Sequence, residues 1–124
     1  MAGIYHERFK EKRSKLNLAF NKLYNPFQKL IMKKIHGAFI FSDLNTDLKN
    51  KIYTILLDNY EFADSKLKVL IIEFKWNYDD YIQNNCPKLT DKSDLNQIFH
   101  KLSLHMSFYY NKLCSKLYYP KFKI

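Results

Sequence analysis

Glycine and proline are scarce in this 124-residue chain, with 2 and 3 copies. So few turn-formers disfavour an all-β fold built from many hairpins. Glycine occurs only at Gly3 and Gly37, which leaves no Gly-rich loop to cradle a phosphate. No stretch approaches the roughly 18 uncharged apolar residues of a membrane span. The N-terminus lacks the apolar centre of a signal peptide, and Glu7 and Glu11 argue against a mitochondrial presequence. Cys86 and Cys114 are too few for a disulfide framework, and neither has a CxxC partner. Both are expected as thiols in a reducing, intracellular compartment. Arginine is rare too: Arg8 and Arg13 stand among 21 basic residues, the rest lysine.

What is abundant is apolar and basic. Apolar residues make up 47% and aromatics 17%, enough for one domain over residues 1–124 with its own core. The net charge is +9. Lys, Asn, Ile, Tyr and Phe share AT-rich codons, so a biased genome could account for part of it. The layout is uneven, however. Residues 1–34 carry nine bases and two acids, residues 35–94 seven and ten, and residues 95–124 five and none. Both ends are basic and the middle is slightly acidic.

The organising stretch is KLKVLIIEFKWNYDDYI at 66–82. At about 100° per residue, Leu67, Leu70, Ile71, Phe74, Tyr78, Tyr81 and Ile82 share one arc. Val69, Ile72 and Trp76 fall opposite. A helix apolar on two sides is either sandwiched in a bundle or keeps one face for a partner. The closed bundle is the favoured reading.

Around it the periodicity predicts a first helix over 4–24, with Tyr5, Phe9, Leu16, Phe20 and Leu23 on its stripe. Asn25-Pro26 predicts a break, with Asn as cap and Pro at the first position of a second helix over 26–36 ended by Gly37. The alternative is a single helix kinked at Pro26. AFIF at 38–41 reads as a buried connection or short strand. Ser42-Asp43 and Thr46-Asp47 are cap candidates for a third helix that ends near Asn59. Asp64 or Ser65 caps the organising helix. After a loop at 84–91, Ser93 is expected to cap a last helix with the stripe Leu95, Ile98, Phe99, Leu102, Met106, Tyr109, Leu113 and Leu117, ended by Pro120. The fold expected is all-α, a single-domain bundle of about five helices around a central helix at 64–83.

Catalytic chemistry finds no support. His100 and His105 are five apart, off the spacing that sets two ligands on one helix face. Cys114 follows His105 by nine residues, more than a close turn. Cys86 has Lys88 nearby but no orienting third group. Asp79 and Asp80 point about 100° apart, and Asp79 is better explained by an i,i+4 pair with Lys75. No enzyme, metal or cofactor is expected.

Two surfaces remain. Val69, Ile72 and Trp76 form a candidate face for a protein partner. Arg8, Lys12, Lys15, Lys22, Lys101, Lys112 and Lys116 form candidates for an acidic protein or nucleic acid. The composition therefore suggests a small, basic, non-enzymatic helical protein that docks into a larger protein or nucleoprotein assembly. One alternative is a free-standing, non-sequence-specific nucleic-acid-binding protein. Another is a virus- or phage-encoded inhibitor of a host complex. The sequence leaves the oligomeric state open.

Overall fold

The structure, a computed structural model, describes residues 2–34, 40–83 and 89–117, with side chains over 10–32, 40–83 and 92–117. Its elements are α1 (Ala2–Ala19), a π-helical turn (Phe20–Tyr24), α2 (Asn25–Lys34), α3 (Thr46–Asp58), α4 (Ser65–Gln83) and α5 (Leu89–Leu117). Short 3-10 turns at Phe41–Asp43 and Tyr60–Phe62 flank α3. No strand occurs among the described residues. The result is an all-α bundle.

The expected break at Pro26 does not occur. The helix runs on from α1 through the π turn into α2, so four helices stand among the described residues where about five were expected. Pro26 has no N–H to give the Lys22 carbonyl, and in a regular α-helix its ring would press on that carbonyl. The π turn just before it widens the helix, and the Asn25 N–H bonds the Phe20 carbonyl five residues back. A single continuous helix through Pro26 is the form adopted. Tertiary packing favours it: Phe20, Leu23, Tyr24 and Phe27 are all buried across the junction.

The long helix and α4 both lie antiparallel to α5. Phe20 stacks on Tyr110, with ring centroids 5.3 Å apart, and Tyr24 meets Tyr109 at a tilt with centroids 5.0 Å apart. Further along, Gln28 Nε2 donates to Ser107 Oγ at 3.3 Å. On the other side, Asp64 meets His105 and Phe74 meets Phe99, and this is the most extensive packing in the molecule. The buried residues form one core. At its centre Phe41 packs its ring on Phe74, Tyr78 and Phe99 at 5.3, 5.7 and 4.6 Å.

The expected connection at 38–41 is therefore anchored by Phe41, while Ile40 is exposed. Ala38 and Phe39 lie outside the described residues. Next to Phe41, the Ser42 N–H donates to Asn96 Oδ1, and Asn96 Nδ2 donates to Ser42 Oγ, both at 3.0 Å. These bonds pin the connection to α5.

The caps differ from expectation at two helices. Asn45, not Ser42-Asp43 or Thr46-Asp47, caps α3 by accepting the Leu48 N–H at 2.8 Å. Its backbone is extended while Thr46 is already helical, which is what a cap requires. At α5, Ser93 lies a full turn inside the helix, which is already formed at Leu89. Asp64 does cap α4, accepting from Leu67 N–H at 3.4 Å. The Gly37 stop, Cys86, and the end of the last helix at Pro120 lie outside the described residues.

Candidate functional site

The core face of α4 is Leu67, Ile71, Phe74 and Tyr78, all buried. Leu70 is half-buried against the core and Ile82 is exposed. The opposite face is not covered. Val69 is 59% and Trp76 63% exposed, while Ile72 is half-buried. The sandwich expected around this helix is thus absent, because α5 and α3 cover one side of α4 and no described element covers the other.

This outer face adjoins a groove of about 540 Å³ between α4 and α5. Lys66 and Leu70 line it from α4, and Lys101, Leu104, His105 and Phe108 from α5. Leu104 and Phe108 are 60% and 64% exposed. Neither was singled out in the sequence, yet the signal was present. They sit four apart, off the core stripe of α5, and between two lysines. The helical repeat that buries Leu102 and Met106 turns Leu104 and Phe108 outward.

Behind the groove lies a polar knot. His105 Nε2 is 2.7 Å from Asp64 Oδ2. The Tyr24 hydroxyl donates to Asp64 Oδ1 and accepts the Asp64 backbone N–H. Tyr109 covers the knot, its ring 6.0 Å from His105. Burial, with the Asp64 hydrogen bond second, pushes the Tyr24 phenol well above its usual range. The His–Asp geometry alone does not make an acyl-transfer site, which needs a nucleophile within hydrogen-bond reach. Cys114 is buried nine residues along α5, about 13 Å down the axis. Among the described residues no three His, Cys, Asp or Glu side chains converge as metal ligands. No described helix is long and apolar enough to cross a membrane.

The basic candidates divide into two places. Lys12, Lys15, Lys22, Lys112 and Lys116 are exposed on α1, the π turn and α5. Lys15 lines a cleft with Tyr109, and Lys112 Nζ sits 5.7 Å from the centroid of the same ring. The antiparallel packing of α1 on α5 thus brings these two together. Glu61 and Asp64 line that cleft too, so its charge is mixed. Lys101 is elsewhere, in the α4–α5 groove beside Lys66. Arg8 lies about one turn before Lys12 in α1, and its side chain is outside the described residues. Compared with known families, curated proteins and solved structures, the chain matches none.

Proposed function

We propose that this protein is a non-enzymatic helical subunit that docks onto protein through the outer face of α4 and α5. Its basic end, with Lys12, Lys15, Lys22, Lys112 and Lys116, meets an acidic protein or nucleic acid. The observation that carries the reading is the exposure of Trp76. A Trp side chain at 63% exposure buries little of its area in the domain that holds it. Val69 shares its face, and Leu104 and Phe108 border the adjoining groove. Large apolar surfaces of this kind mark interaction sites, and tryptophan is the residue most enriched at interface hot spots.

The test is capture of partners by the native protein and by Trp76→Ala. Loss of a protein partner by about 2 kcal/mol or more of binding supports the reading. Unchanged capture removes it.

A second reading, free-standing nucleic-acid binding, draws on Lys15 and Lys112 around Tyr109. Half-burial of that ring between Tyr24 and His105 limits its use for stacking on bases. Retention on nucleic acid that weakens steeply with salt favours this second reading. Weak retention at all salt concentrations favours docking to protein.

A further inference from the structure

The outer face of α4 carries an ordered charge pattern as well as its apolar residues. Positions 66, 69, 73, 76, 80 and 83 recur at alternating spacings of three and four, so they share one stripe of the helix. They read Lys66, Val69, Glu73, Trp76, Asp80 and Gln83. Lys66, Glu73 and Asp80 are exposed, and none has an ion-pair partner among the described residues. Lys101 joins Lys66 in the groove at the basic end. Counted together with Lys101 of the groove, the face holds two cations and two anions, sorted end to end, on a chain whose net charge is +9. An unrelated acidic partner would be drawn to the basic ends of the protein rather than to this balanced face.

We infer that the partner covering this face is a second copy of the same chain, related by a two-fold axis with the two α4 helices antiparallel. The inference rests on the reading of α4 and α5 as a protein-docking surface and names what docks. The midpoint of Lys66 and Asp80 is position 73, and the midpoint of Val69 and Trp76 falls half a residue away. One two-fold axis therefore places Lys66 against Asp80 of the copy, twice, and Val69 against Trp76 of the copy, twice. A parallel pairing would stack like charge on like. In the antiparallel pair, the copy's Trp76 indole has the groove of Leu70, Leu104 and Phe108 beside it. The ammonium groups of Lys66 and Lys101 at the rim suit an aromatic face. Such a contact is isologous and self-limiting, as expected of a two-fold dimer. Glu73 falls at the axis, where it meets its own copy, and is the position this arrangement leaves unpaired.

Sedimentation equilibrium on the full chain tests the proposal. The native protein is expected to be a dimer. Lys66→Glu alone and Asp80→Lys alone should each weaken it at least tenfold, since each sets like charges together twice. An equimolar mixture of the two variants should restore the dimer, because a mixed pair holds Glu against Lys at one contact and Asp against Lys at the other. Glu73→Gln should tighten it severalfold. Helical circular dichroism of each variant checks that the chain stays folded. A native monomer at about 100 μM, where a micromolar interface would be saturated, overturns the dimer. If Trp76→Ala nevertheless abolishes capture of a different protein, the docking reading survives without it. A dimer weakened by Trp76→Ala but not restored by mixing overturns the antiparallel arrangement. A dimer indifferent to Trp76→Ala and to both charge changes overturns the use of this face altogether.

Discussion

The Tyr24 hydroxyl and Asp64 share two hydrogen bonds: the phenol donates to Oδ1 and accepts the Asp64 backbone N–H at 2.9 Å. The pair joins the π turn of the long helix to the N-terminus of α4. His105 reaches the other oxygen of the same carboxylate at 2.7 Å, so one side chain ties three helices. Removing the phenol would strand a part-buried carboxylate oxygen and a backbone N–H. Tyr24→Phe is expected to lower stability by about 1.5–3 kcal/mol, the range for a lost bond to a charged group. Urea denaturation of the variant measures this.

Stability should also fall at alkaline pH. Burial raises the Tyr24 phenol, and burial together with Cys114 pushes Tyr110 up to about 12. Burial likewise raises Tyr78 and Tyr109. A group held protonated by the fold contributes its full stabilisation below the unfolded value of about 10. The contribution is lost as pH rises from there through the folded value. The stabilisation contributed by Tyr110 should therefore disappear between about pH 10 and 12, at a slope of up to about 1.4 kcal/mol per pH unit. Tyr110→Phe should flatten that part of the curve, read by denaturation at stepped pH. An unchanged slope would show that the ring is not protected in solution.

Two aromatics of α4, two residues apart, should behave in opposite ways. Phe74 is fully buried, and Phe74→Ala should cost about 3–5 kcal/mol. Trp76 is outward, and in the isolated chain Trp76→Ala should change the monomer's stability by no more than about 0.5 kcal/mol. The comparison is best made by denaturation of the dilute protein. A loss at Trp76 comparable to that at Phe74 would mean the outer face is covered within the chain.

Asn96→Ala should free the connection before α3, removing both bonds to Ser42 at a cost of about 1–2 kcal/mol. Hydrogen exchange should then speed up at Ser42 while the centre of α5 stays protected. Equal loosening of both would mean that the brace and the core open together.

Cys114 is fully buried in α5, and a thiol reagent should modify it only as fast as the protein opens. Rapid modification under native conditions would contradict the packing of α5 against the π turn.

Most of the helices were legible because core positions keep the 3.6-residue period over long runs. Leu67, Ile71, Phe74 and Tyr78 of the expected arc are buried, with Leu70 and Tyr81 half-buried and only Ile82 exposed, and Lys75 pairs with Asp79 at 2.9 Å as its spacing implies. Phe41 was legible as apolar but not as the plug of an aromatic cluster, since its partners lie 33 to 58 residues away. The junction at Pro26 was misread because Asn-Pro is a good local start signal, and only tertiary burial of Tyr24 and Phe27 overrides it. Tyr110 was missed because α5 is walled on two sides, so its buried arc is wider than one stripe. The same width concealed Leu104 and Phe108: a contact needs two helices, and one helix's periodicity does not say which flank its neighbour leaves open.

The π turn acts as a phase shifter. One extra residue in a turn sets everything before Phe20 out of step with everything after Tyr24 by about 100°. The core residues of α2 thus fix only their own half of the rod, and the azimuth of Lys12 and Lys15 is set by how the helix goes round Pro26. The aim of Lys12 and Lys15 is shifted by the turn that accommodates a proline, which carries no charge and lies more than ten residues downstream.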